Sequence, residues 1–446
     1  MVDLINAKSN KEIASSLIKF SLPLILSSIL QQLYGWIDAL IVGNVAGEIS
    51  LAAIGSTTAF TGFYLMIIFG FATGLSILFA QNYGSGRHDA NKKLLATYTM
   101  LFLVVFTAIT ILSIVFARQF LELLNTTPET IDLAESYLKI VLIGVPFMAL
   151  YDVHSAALRG TGDSKTPFWS IIISSVVNII LDIIFVIWFR WGVEGAAFAT
   201  IIAQIVMTVY LVIYGQKKRP LLKLNSIIKL LDKGALKEGM HFGIPPMIQS
   251  GVTGSGNLVL QNFMNGFGTP TVAAITTAYR IDSIIFQPII NLASAISTVV
   301  AQNYGAGYKK KTIKVFAVGT VIMAITSIII SLILMIWGGN LVAMFGVEAE
   351  ATAIGRDFFI RLGAFYLVFG LASATRGYLE GMGDLTYSSI VTIVALLIRI
   401  AGSYLFMDLW DNMVIAYAEG ISWCFLLLFY LVRAKYKKFP DQIAVK

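Results

Sequence analysis

The sequence predicts an all-α polytopic membrane protein: twelve transmembrane helices in two repeated lobes of six, with both termini cytoplasmic. Three observations lead there. Of the 446 residues, 57% are hydrophobic and 13% charged, about half the charged share of a soluble domain. Twelve apolar stretches are long enough to cross a bilayer. Two motifs also recur at one offset. AQNYGSG (Ala80–Gly86) returns as AQNYGAG (Ala301–Gly307), and RGTGD (Arg159–Asp163) as EGMGD (Glu380–Asp384), each 221 residues later (384 − 163 = 221). Parallel duplication of this kind is typical of transporters, whose binding surfaces lie between or within the halves.

The first six spans run roughly Ile18–Val42, Leu51–Phe79, Leu94–Phe116, Leu133–Leu158, Phe168–Phe189 and Val193–Tyr214. The second six run roughly Gly243–Phe267, Thr271–Val300, Thr312–Trp337, Phe358–Leu379, Tyr387–Leu409 and Met413–Val432. Between them, residues 216–239 alternate Leu and Ile with Lys at roughly helical spacing, the pattern of a helix lying in the membrane interface. The expected organisation is therefore a first lobe over 1–215, an amphipathic linker over 216–239 and a second lobe over 240–446.

Orientation follows from the loops. Arg87, Lys92, Lys93, Lys165, seven Lys and Arg residues of the linker, Lys309–Lys311, Arg433, Lys435, Lys437 and Lys438 all fall on one side. The opposite loops hold Glu48, Glu122, Glu129, Glu348, Glu350, Asp408 and Asp411. Basic loops stay in the cytoplasm, which places both termini there and the chain in the cell (plasma or inner) membrane. The net charge of +7 is thus a membrane-topology signal, and no nucleic-acid partner is expected. Cys424 is the only cysteine, and His88, His154 and His241 are widely spaced, so neither disulfides nor a Cys- or His-based metal site is expected. With a polar start followed by a long apolar segment, no cleavable signal sequence is expected.

Charged and polar side chains inside spans are costly and mark functional sites. At 1.5 Å rise per residue, Asp38 lies about 9 Å below the outer end of its span, Asp182 about 12 Å, Thr200 about 9 Å and Asn178 about 18 Å. Asn178 and Asp182 are four apart on one helical face, and Tyr34 is one turn inward of Asp38. Tyr137 sits near the outer end of the fourth span. Two carboxylates, an amide and hydroxyls therefore share one outer layer. Their hard oxygen donors suit a sodium ion, with Asp38, Asn178, Asp182 and Thr200 as the expected ligands. Two carboxylates at close range also repel, which favours holding a proton or a cation between them. Asp152, only about 10 Å from the inner face, falls outside this layer; it either lines the inward route or pairs with His154 or Arg159.

Twelve spans in two repeats, QQLYGWIDALIVG in the first span, AQNYGSG after the second and ALRGTGDSKTP after the fourth together resemble the multidrug and toxic compound extrusion (MATE) family over essentially the whole chain. The resemblance implies a membrane exporter of small organic, often cationic compounds driven by inward flow of Na+ or H+, with no cofactor beyond that coupling ion. In members whose ion site lies in the first lobe, Tyr34, Asp38, Asn178, Asp182 and Thr200 fall on the motif's Tyr, Asp, Asn, Asp and Thr. Asp152 departs from the Asn more common there.

The second half has not kept these residues. By the offset, Asn178 corresponds to Arg399, Asp182 to Ser403 and Thr200 to Ile421. Some branches of the family carry acidic residues in the seventh and tenth helices, whereas Gly243–Phe267 contains none. The second half instead has Arg280, Asp282, Arg399 and Glu419 at similar depth, about 10 to 17 Å from the outer face, which reads as a paired charge network, structural or switching. No nucleotide-binding loop and no nucleophile–base arrangement appears, so an enzyme is not expected. A flippase for lipid-linked or polyprenyl intermediates is the alternative to an antiporter. A monomer is the expected state.

Overall fold

The computed structural model describes residues 9–223, 231–437 and 439; among them every regular element is helical. In the first half these are α1 (Asn10–Ala46), α2 (Glu48–Gly84), α3 (His88–Val115), α4 (Ala117–Leu123), α5 (Ile131–Leu142), α6 (Val145–Gly160), α7 (Lys165–Asp182) and α8 (Gly192–Lys218). The second half follows with α9 (Lys233–Asn265), α10 (Thr269–Ile285), α11 (Gln287–Gly305), α12 (Lys309–Ala343), α13 (Ala349–Gly363), α14 (Tyr366–Gly381), α15 (Leu385–Leu405), α16 (Met407–Trp410) and α17 (Val414–Tyr436).

Ten spans among the described residues are long and apolar enough to cross a membrane, and the pair α13–α14, bent by 50°, makes an eleventh. Every backbone polar group must find a partner inside a bilayer, which is why apolar stretches of this length become helices. The seventh expected span corresponds to α9. It has 33 residues, but its Gly, Asn, Gln and Pro residues leave it outside the set of apolar spans. Of the expected interfacial helix over 216–239, residues 224–230 lie outside the described residues. The rest comprises the end of α8, a single turn at Pro220–Leu222 and the start of α9.

The repeat is written into the backbone. Gly162 and Gly383, 221 apart, both adopt positive φ (+88° and +85°) and end α6 and α14 in the same way. The Asp163 amide bonds Leu158 O at 2.9 Å, and the Asp384 amide bonds Leu379 O at 3.0 Å. This is the six-to-one bond that closes a helix on a left-handed glycine. It explains the G-D ending of both motifs. Each aspartate then binds basic residues at the end of the last helix of its half: Asp163 pairs with Arg219, just past α8, and Asp384 with Arg433 in the last turn of α17 (2.7 Å) and Lys437 just past it (3.3 Å).

The same two helices make close crossings. A Cβ added at Gly160 would lie 2.6 Å from Phe79 Cβ and 2.7 Å from Ser76 O; at Gly381 it would lie 2.6 Å from Val300 Cγ1 and 2.7 Å from Ser297 O. Small residues at such crossings let helix backbones approach in a bilayer, where van der Waals packing drives association. Gly160→Val and Gly381→Val are each expected to cost about 1–3 kcal/mol by overpacking, read as a lower thermal midpoint of the purified protein. An unchanged midpoint in both would mean that the crossings are loose.

Contacts divide the chain into two compact units. One comprises Leu26–Tyr83 and Arg87–Met247; the other comprises the chain up to Ile25, Gly84–Gly86 and everything from Ile248 onward. The first unit is built on a core containing Phe71, Tyr98, Phe102, Leu138 and Leu158. In the other, Ile13, Leu17, Phe20 and Leu24 of α1 are buried in one core with Ile296, Val300 and Met323. The contact units and the lobes cut at the linker are therefore different divisions of the chain: α1 and α9 each contribute to both units.

Candidate functional site

Within the first unit, α1, α5, α7 and α8 bring Tyr34, Asp38, Tyr137, Asp182 and Thr200 together. Asp182 is the last residue of α7 and is fully buried. The chain continues through Ile183–Trp188 as a π-helical stretch, with the Phe189 amide bonding Ile184 O five residues back at 2.9 Å. Such wider turns recur at functional sites. Here the widening begins at the residue after Asp182.

The Tyr34 hydroxyl donates to Thr200 Oγ1 at 3.4 Å. The Asp38 and Asp182 carboxyl groups are close enough to interact directly, and Tyr137 interacts with both and with Tyr34. Asn178, one turn before Asp182, is buried. Among the described residues no hydrogen-bond partner reaches Asp38 Oδ1, either Asp182 oxygen, or the Asn178 amide oxygen or nitrogen, and no basic side chain lies close enough to pair with those oxygens. A buried carboxylate without donors is expensive. The fully buried Asp182 beside the half-buried Asp38, whose Oδ1 is shielded from solvent, calls for a positive charge, either one shared proton or a monovalent cation. Asp38 Oδ1, both Asp182 oxygens and Asn178 Oδ1 are hard donors that fit either. Among the described residues no group of three His, Cys, Asp or Glu could hold a metal ion, so a multidentate transition-metal centre does not fit.

Asp152 lies elsewhere, buried on α6, with Arg159 as its charged neighbour. The His154 ring instead meets Thr99 Oγ1 at 3.3 Å.

In the second unit, Arg399 forms an ion pair with Glu419 Oε2 at 2.7 Å. Tyr279 completes a triangle, its hydroxyl 2.7 Å from the guanidinium and 3.2 Å from Glu419 Oε2. Asp282 accepts a hydrogen bond from the Tyr366 hydroxyl at 2.5 Å and interacts electrostatically with Glu419 and Arg399. Arg280, expected in this network, does not join it: it is exposed, and among the described residues no ion pair or hydrogen bond of its side chain connects it to the others. Two residues along a helix turn through about 200°, so Arg280 and Asp282 face opposite ways. Sequence reasoning missed Tyr279 and Tyr366. Tyr279 was recoverable, three residues before Asp282 on the same face; nothing in the sequence marks Tyr366.

Described residues that are helical in every regular element, with a duplicated set of membrane spans and carboxylate oxygens that no described donor reaches inside one repeat, define a polytopic membrane transport protein. The MatE family model matches residues 23–184 and again residues 245–405, two copies within one residue of the offset seen in the motifs (245 − 23 = 222, 405 − 184 = 221), and the chain belongs to that family of transporters. It is 27% identical over 398 residues to the probable multidrug resistance protein YoeA of Bacillus subtilis, covering 87% of this chain and 86% of that one. It is 26% identical to the probable multidrug resistance protein NorM of Thermotoga maritima, covering 86% and 83%. Among solved structures, an outward-facing multidrug resistance MATE family transporter of the MOP superfamily matches with a TM-score of 0.89 at 20% identity, covering 97% of each chain. That likeness shows the fold.

Proposed function

We propose that this protein is a secondary antiporter that exports organic, often cationic compounds in exchange for Na+ or H+ by alternating access. The observation that carries the reading is the pair Asp38 and Asp182: Asp38 Oδ1, both Asp182 oxygens and Asn178 Oδ1 are buried and have no donor among the described residues. The names of its relatives, multidrug resistance and export proteins, support the substrate class. The setting we propose is the cell membrane, with a monomer of twelve spans (α9 being the one of lower hydropathy), lobes over 1–215 and 240–446 and both termini cytoplasmic.

Substrate enters from the cytoplasm or inner leaflet. With the carrier facing outward, the coupling ion binds Asp38 and Asp182, joined by Asn178, Thr200 and Tyr34. Neutralising the pair removes its repulsion and lets the α7 end and the π-helical stretch repack. Substrate affinity falls, and the carrier returns loaded with the ion. Ion and substrate thus compete through one acidic layer, which is what exchange requires. A lipid flippase would need cationic groups for phosphate; this acidic layer disfavours it, and none of the relatives reported above carries such a name.

Ethidium uptake into inverted vesicles tests the reading, with sodium and proton gradients imposed separately. Uptake driven by one gradient and lost in Asp38→Asn is expected, and the effective gradient identifies the ion. No gradient-driven uptake of any organic cation would overturn the proposal.

A further inference from the structure

The second repeat holds a charge imbalance of its own, independent of the coupling site proposed above. Asp282, Glu419 and the Arg399 side chain are all largely buried. Two carboxyl groups face one guanidinium, and the guanidinium is already committed to Glu419. Among the described residues, Asp282 is left with a single donor, the Tyr366 hydroxyl on Oδ1, while its Oδ2 has no partner; Arg399 Nε likewise has none. An orphan acceptor and an orphan donor therefore lie within electrostatic reach of each other.

The groups facing Asp282 are few: Tyr366 from α14, Glu419 from α17, Arg399 from α15 and Tyr279 one turn back on α10. Packed beside them, α13 presents the Phe358 ring to Tyr279. A net negative charge at this depth is too costly to leave uncompensated. A sodium ion does not fit, because it needs several oxygen ligands, and only one unpartnered carboxylate oxygen is available beside a fixed cation. A proton needs one lone pair.

We propose that Asp282 is a proton-binding site in the second repeat, where Asp282 and Glu419 compete for the Arg399 guanidinium and one proton occupies whichever carboxyl the guanidinium does not hold. In the arrangement described, Asp282 carries the proton on Oδ2. In the alternative, the Arg399–Glu419 hydrogen bond breaks, Arg399 Nε donates to Asp282 Oδ2, and the proton leaves Asp282 while Glu419 gains one. The network is neutral in both arrangements, so the exchange leaves no bare charge inside the membrane. Tyr279, bonded to both partners of the present pair, holds the first arrangement. Tyr366 accommodates either state of Asp282, since its hydroxyl can donate to a carboxylate or a carboxylic acid.

Infrared spectroscopy of the reconstituted full-length protein tests this directly, because a protonated carboxyl has a C=O band that a carboxylate lacks. The background is the Asp38→Asn, Asp182→Asn double variant, which removes the first-repeat pair. At neutral pH a carboxylic-acid band should be present and should shift to lower frequency when aspartate alone is labelled with carbon-13. Adding Asp282→Asn should remove intensity from that aspartate band. Glu419→Gln should remove the same intensity while Asp282 is still present, because the freed Arg399 then pairs with ionised Asp282. A background protein with no label-sensitive acid band, or one whose band is unchanged by Asp282→Asn, overturns the site. The labelling result comes from the background alone, so it stands even if the further variants fold poorly. Persistence of the full aspartate band in Glu419→Gln overturns the competition. Ethidium uptake plays no part in these readouts, so failure here leaves the first-repeat proposal standing, and the reverse holds too.

Discussion

Asp182→Asn is expected to abolish gradient-driven export while leaving membrane insertion and yield intact. The substitution is nearly isosteric and removes a charge from a fully buried position whose two oxygens have no donor, so the fold loses no hydrogen bond. What it loses is the ability to take up a coupling cation or proton. Antiport requires that ion and substrate weaken each other's binding, and such couplings are typically worth about 1–3 kcal/mol, roughly 5- to 150-fold in affinity. In the wild type, saturating the effective coupling ion should lower substrate affinity by a factor in that range, measured by fluorescence of bound ethidium. In Asp182→Asn the affinity should no longer respond to the ion. Asp38→Asn should behave alike, whereas Thr200→Ala should be milder, because Thr200 Oγ1 already accepts the Tyr34 hydroxyl. Full drug resistance in cells carrying either aspartate variant would sink the assignment of this pair.

The first-repeat residues could be grouped from sequence because a helix has a fixed rise. Counting inward from span ends set Asp38, Asp182 and Thr200 at one depth, and a common depth with matching polarity was enough to group them. The repeat was equally legible, since left-handed glycines and the aspartates after them leave a nearly fixed string of letters. The second-unit network was only half legible. Depth grouped Arg280 with Asp282, but depth says nothing about azimuth, and the two residues face opposite ways. Tyr366 looks like any aromatic in an apolar run; its partner Asp282 lies 84 residues away, a distance that no local pattern spans. The same holds for the start of α1. The apolar span was visible from Ile18 onward, but Ile13 and Leu17 precede it, and which core they join is decided by tertiary packing.

Arg399→Met should be among the most destabilising single substitutions in the second unit, and Glu419→Gln should not. In an ordinary buried ion pair, removing either partner strands a charge and costs about 3–5 kcal/mol. This network has a spare acid. Taking away Glu419 frees Arg399 for Asp282, whose Oδ2 has no other partner, so the guanidinium stays compensated and the loss is largely the one Tyr279 contact. Taking away Arg399 leaves two buried carboxyl groups and no cation, so the cost should approach the full figure for an unpaired charge. Thermal midpoints of the two purified variants measure the asymmetry. Arg399→Met combined with Glu419→Gln should recover most of the loss, because the one remaining acid, Asp282, is then protonated and still bound to Tyr366. Equal destabilisation by both single substitutions would mean that Asp282 cannot reach the guanidinium. A double variant no better than Arg399→Met alone would mean that Asp282 is ionised and depends on Arg399 for its charge balance.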